Sequence, residues 1–206
     1  MKSSQIKKNI FSFFAASVFL ASSAFAADKY EFDKSHTKIL FFVNHLGFSE
    51  SVGEFTDYDG YFTFDPKKPE ESKIEVTLKP SGIRTSSTAL DGELQGEKFF
   101  KSDQFPTITF VSQKATVTGK ENGVVDGVVT MLGVSKPVKL KVHFNKADYH
   151  PFTKDFVAGF SATAFIKRSE FGMNSYLPMV GDNVRVQIQT EGINVDQKER
   201  EKIRKH

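Results

Sequence analysis

Five histidines are the first residues to test for chemistry, since imidazole serves as general base, proton shuttle and metal ligand alike. His36 and His45 lie nine positions apart in a stretch that alternates like a strand, which separates them by roughly 30 Å. They cannot share a metal. His143 falls on the polar side of its strand, His150 in a turn and His206 at the chain end. No His-Glu-x-x-His spacing occurs. The absence of cysteine excludes thiolate zinc sites and cysteine nucleophiles. No G-x-S-x-G elbow presents a serine and no G-x-x-x-x-G-K-[ST] loop cradles a phosphate. Asp57 and Asp59 fall in a bend, where carboxylates are ordinarily solvated. The residue pattern therefore predicts no catalytic residue, no metal and no cofactor, and so not an enzyme.

Two side chains remain. His45 shares the parity of Phe41 and Val43, which predicts a buried ring satisfied by a carbonyl or serine; contact with a ligand is the alternative. Arg168, in "IKRSEFGM", is placed to hold a phosphate or polar lipid head group bidentately. The favoured expectation is a salt bridge to a carboxylate such as Asp33 or Asp91 that closes a barrel end.

The elements that must position these residues are strands. "TKILFFVNHLG" places Ile39, Phe41, Val43 and His45 on one face. "SKIEVTLKP" does the same with Ile74, Val76 and Leu78. "PVKLKVHFN" sets Val138, Leu140, Val142 and Phe144 against Lys139, Lys141 and His143, and "VRVQIQTEG" sets Val184, Val186 and Ile188 against Arg185, Gln187 and Gln189. One dry and one wet face indicates an antiparallel sheet curled or stacked on itself. About eight such strands suit a barrel or a sandwich. One stretch is helical. Thr88 and Asp91 have capping-box spacing, Leu90 and Leu94 stand one turn apart, and Gly96 ends the run. Phe99, Phe100 and Phe105 follow, three rings in a segment that cannot be a strand.

Composition bounds the rest. Residues 1–26 begin with Lys2, Lys7 and Lys8, continue with an apolar run and end in Ala24-Phe25-Ala26, the pattern of a cleaved signal peptide. This predicts a periplasmic protein. Of 28 Lys and Arg against 25 Asp and Glu, three lysines belong to that segment, so the remainder is 25 − 25, formally neutral. Nucleic acid is not an expected partner. Of 22 Phe, five (Phe11, Phe13, Phe14, Phe19 and Phe25) leave with the segment, and the seventeen that stay exceed what a small core requires. They suggest a lined cavity, with small residues along Phe156–Lys167 leaving room for it. Residues 196–206 read as a solvated, frayed tail.

Taken in order, "YEFDKSHTKILFFVNHLGF", "GEFTDYDGYFTFD", "GIRTSSTALDGELQGEKFFKSDQFPTITFVS", "GVVTMLGVSKPVKLKV" and "IKRSEFGM" resemble the YceI family across nearly all of residues 27–195. The resemblance implies an eight-stranded antiparallel, lipocalin-like barrel with a short helical insertion near one end. It also implies a secreted, non-enzymatic protein that holds a long apolar lipid, typically a polyprenyl phosphate or isoprenoid quinone. The family helix commonly reads Arg-Asp-x-His-Leu; this chain has Leu90-Asp91-Gly92-Glu93-Leu94, so the Arg and His positions are replaced. The expected ligand-lining residues are Phe41, Val43 and His45 on the first long strand and Leu90 and Leu94 on the helix. Phe99, Phe100 and Phe105 would close over the mouth, and Phe110, Phe160, Arg168 and Phe171 complete the set. Two other classes compete: an enzyme acting on such a lipid, and an outer-membrane barrel, against which the charged tail and the lack of a terminal aromatic strand argue. The expected protein is not integral to the membrane, and a homodimer is left open.

Overall fold

Alternation of apolar and polar residues commits this chain to strands, and the strands close. A computed structural model describes residues 27–204; the signal-peptide reading and His206 lie outside that range. Eleven strand segments form one antiparallel sheet. They are β1 (Asp28–Phe32), β2 (Lys38–His45), β3 (Ser49–Phe55), β4 (Tyr58–Phe64), β5 (Lys73–Leu78), β6 (Ile83–Arg84), β7 (Ile108–Val117), β8 (Asn122–Met131), β9 (Val134–Tyr149), β10 (Phe156–Lys167) and β11 (Val180–Asn194). Helix α1 (Thr88–Gln95) separates β6 from β7, and α2 (Val195–Arg204) follows β11.

The sheet order runs β1-β4-β5-β7-β8-β9-β10-β11, and β11 pairs back onto β1 with Tyr30 opposite Asn194 and Phe32 opposite Gly192. That is a closed, eight-stranded antiparallel barrel, as expected. Beyond Glu191, β2 replaces β1 along the same edge of β11, with Val186 opposite Phe41 and Val180 opposite His45. β3 pairs with β2, and β6 with β3. Three of the eight wall positions are thus built from two successive segments: β1 with β2, β4 with β3, and β5 with β6. The barrel is made taller without another strand. Closure removes the unpaired edges that an open sheet would present.

The alternation also fixes which face is inside. On β9, Val138 and Leu140 are buried while Lys139 and Lys141 are exposed. Charges point outward and apolar chains inward, the reverse of a transmembrane barrel, which carries an apolar outer band. None of the helices among the described residues is long and apolar enough to cross a membrane.

Surplus phenylalanine has a steric explanation. Phe41 stands opposite Gly53 across β2 and β3, and a Cβ added at Gly53 would lie 2.2 Å from the Phe41 ring. A Cβ at Gly127 would lie 2.4 Å from the Phe110 ring and 2.7 Å from the Val111 carbonyl oxygen. Each ring lies flat over a neighbouring glycine, so it covers the inner wall instead of crossing the lumen.

Residues 196–204 correct the tail reading: they are helical and docked. Asp196 accepts from the Lys29 backbone N–H at 2.7 Å, and the Arg200 guanidinium forks onto Asp28 with both contacts at 3.0 Å. A charged composition alone does not reveal this, because the partners lie at the opposite end of the chain.

Candidate functional site

The barrel encloses two adjoining chambers. The lower has a volume of about 340 Å³ and the upper about 390 Å³. Phe55, Met131, Ile166 and Val186 belong to both linings and form a waist between them. The lower chamber is walled by alternate residues of β5, β8, β9 and β11, among them Ile74, Leu78, Val125, Val129, Val138, Leu140 and Ile188. Ala162 and Ala164 face it from β10. Near its lower end Phe62, Phe64, Phe144 and Phe160 contact one another edge-on or tilted, at centroid separations of 5.1–5.4 Å. The lining continues past them to the exposed β7–β8 turn, where Lys120, Glu121 and Asn122 border it.

The upper chamber is roofed by α1 and the loop after it. Ser87, not Thr88, caps the helix, its hydroxyl accepting from Leu90 N–H at 3.4 Å. Asp91 reaches back to the Thr85 N–H at 2.6 Å and the Thr85 hydroxyl at 2.7 Å. The expected Thr88–Asp91 box therefore does not form: the cap lies one residue earlier, and Asp91 anchors the helix to the chain before it. Beyond Gly96, Phe100 N–H donates to the Leu94 carbonyl at 2.9 Å and Ser102 N–H to that of Gln95 at 2.9 Å. This compact turn drops Phe99 into the core and lays Phe100 against Phe55 at 5.8 Å.

Phe41, Val43, His45, Leu90, Leu94, Phe99, Phe100 and Arg168 all border this chamber, and Phe110 and Phe160 border the lower one. Two expected residues do not come to the tunnel. Phe105 leaves it to pack on the β8–β9 turn, where a Cβ at Gly133 would lie 3.2 Å from its ring. Phe171 is buried within the core beside the chamber lining. His45 also departs from expectation: it is exposed at the rim, because β2 ends there.

Arg168 makes neither the expected salt bridge nor a free anion site. It is 3% exposed. Its Nε donates to the Gly181 carbonyl at 2.8 Å, Nη1 to Met173 at 2.9 Å and Nη2 to Val180 at 2.9 Å. Burial lowers its pKa, and the nearby Asp182 carboxylate opposes that. Asp182 in turn accepts from the Ser169 N–H and hydroxyl at 2.9 and 2.8 Å, and these bonds hold its own pKa down. The guanidinium ties the 173–181 segment to the top of β10. Sequence spacing placed the residue correctly but could not show that backbone carbonyls would take its donors.

The roof predicts a separation of effects. Phe99→Ala should cost about 3 kcal/mol, as for a deleted core ring, read as a fall in urea midpoint. Phe100→Ala, half-buried against the chamber, should cost less and loosen retention of a bound apolar ligand more.

One group of metal-type donors occurs among the described residues. Asp33, His36 and Glu191 bring their ligand atoms within 4.8 Å of one another at the β1–β2 kink. Spacing rules missed it because Glu191 comes from β11. It stands apart from the tunnel, and His36 Nδ1 already contacts Asp33 at 2.8 Å. That contact raises the His36 pKa and lowers that of Asp33. The histidine contribution to stability is complete below its free value of about 6.5 and is lost as pH rises through the elevated folded value. The aspartate contribution is present above about 3.9 and is lost as pH falls through the depressed one. Melting temperature should therefore decline modestly from about pH 6.5 upward, and His36→Gln should flatten that slope.

The YceI-like domain pattern matches residues 30–192, which spans the barrel from β1 to β11. A UPF0312 protein of Pectobacterium carotovorum is 33% identical over 190 residues, covering 91% of this chain and 98% of its own. The chain belongs to the YceI family. Among solved structures, BcnA of Burkholderia cenocepacia superposes with a TM-score of 0.71 at 20% identity, covering 78% of this chain and 98% of its own. A polyisoprenoid-binding domain from Saccharophagus degradans gives 0.62 at 10% identity, covering 80% and 98%. Both share this chain's fold, and the family match over residues 30–192 confirms the resemblance read from the ordered sequence blocks.

Proposed function

We propose that this protein is a periplasmic, non-enzymatic carrier that holds one long-chain, isoprenoid-type lipid in its tunnel. The observation that carries this reading is the tunnel itself: two apolar chambers joined at a waist and walled by Phe, Val, Ile, Leu and Met side chains. Each methylene sheltered there contributes roughly 0.8 kcal/mol, so a long chain needs few polar contacts. The Saccharophagus degradans domain described as polyisoprenoid-binding shares the architecture.

The polar end of the ligand is best served by an uncharged head group such as a quinone. Arg168 is the sole Lys or Arg among the described residues lining the upper chamber, and its donors are held by three carbonyls. Glu93, which also borders the chamber, would repel a phosphate. Titration with a long-chain isoprenoid quinone and with a polyprenyl phosphate of equal length should show tighter binding of the quinone. Equal or tighter binding of the phosphate would refute the head-group assignment, and no uptake of either would refute the carrier reading.

A further inference from the structure

The residues framing the upper mouth face two ways. Leu46, Tyr176 and Met179 line the upper chamber, yet they remain 47%, 41% and 57% exposed. Next to them Phe48, at the turn between β2 and β3, is 88% exposed. The Leu46 N–H donates to the Met179 carbonyl at 2.9 Å, so the turn and the 176–180 segment form one platform. Single exposed apolar residues are ordinary. Four on two joined segments, around the opening of an apolar tunnel, mark an interaction surface.

Charge narrows the partner. Lys98 Nζ donates to the Tyr176 hydroxyl at 2.8 Å, and that hydroxyl donates to Glu93 at 2.9 Å. Arg185 pairs with Glu50 at 2.7 Å. Each cation beside the rim is thus balanced by a carboxylate, which suits a zwitterionic surface and gives no advantage to an anionic one.

We infer that this rim seats on a lipid bilayer, with Phe48 and Met179 entering its apolar layer and Tyr176 resting at head-group level. The inference rests on the carrier reading and adds where the ligand comes from. A lipid crossing from bilayer to tunnel through this contact keeps its chain out of water, which is the costly part of any transfer through solution.

The chain contains no tryptophan, so Phe48→Trp creates a single reporter. Its emission should shift to the blue on adding phosphatidylcholine vesicles to the full chain, should be quenched by brominated acyl chains, and should be insensitive to salt. Phe152→Trp, at the β9–β10 turn of the opposite end and 86% exposed, should not shift. Phe48→Ser should slow lipid uptake from vesicles at least about ten-fold, the scale of one buried aromatic side chain. It should leave final loading from an ethanol dispersion unchanged. No shift at position 48, an equal shift at 152, or a shift that follows protein concentration without vesicles (a second copy covering the rim) would overturn the inference. Loading from the dispersion tests the carrier reading separately, since it requires no bilayer.

Discussion

Arg168→Ala is expected to lower stability by about 3–5 kcal/mol while leaving no specific defect in recognition of a lipid head group. The guanidinium is the shared donor for three carbonyls, of Gly181, Met173 and Val180. Its removal orphans all three and opens a void at the top of β10. Buried acceptors without partners cost roughly 1–3 kcal/mol each, and water entering the void recovers part of that. Arg168→Lys should still cost about 2 kcal/mol, because a compact ammonium cannot reproduce a planar fork aimed at three separated oxygens. Urea denaturation gives the magnitude, and amide exchange should localise the loosening to the 173–181 segment. A variant that keeps its stability but loses lipid would restore the head-group role that the sequence suggested.

Ala162→Phe carries the second large effect, in the opposite sense. Ala162 stands opposite Val142 on β9 and Ile188 on β11, and all three border the lower chamber. A ring placed there occupies lumen instead of overpacking a filled core, so the usual 1–3 kcal/mol penalty of small-to-large substitution should be largely absent. Lipid capacity should fall more than about ten-fold, because the ring takes the lower-chamber space in which the chain would gain its methylene contacts. Melting temperature and lipid titration on the same samples separate the outcomes. A clear loss of stability with unaltered binding would mean that the chambers are slack in an ordinary core.

The wall of the barrel was legible because period two survives in nearly every strand: Val138 and Leu140 against Lys139 and Lys141 already state which face is dry. The chain's closure was not legible from alternation, which leaves barrel and sandwich equivalent; the ordered family blocks decided it. Site residues were legible where they sit on regular elements, such as Phe41, Val43, Leu90 and Leu94. They were misread where the backbone turns away from the lumen. Phe105 and Phe171 leave the tunnel because the segments that carry them curl into neighbouring turns. His45 has the correct parity but stands where its strand ends. Arg168 shows the deepest limit, since backbone carbonyls leave no signature in side-chain spacing. Phe55 and Met131 at the waist went unnamed, and Val186 was placed only on a dry face, because they are ordinary apolar residues and their meeting is a product of register.

The central claim, that the tunnel exists to hold a long apolar lipid, is tested most directly by native mass spectrometry of the protein isolated from its own cells without detergent. A single added mass per chain is expected, extracting into organic solvent as an intact, uncharged isoprenoid-type lipid. Protein that carries no such mass, and that takes up no prenyl lipid on titration, would contradict it.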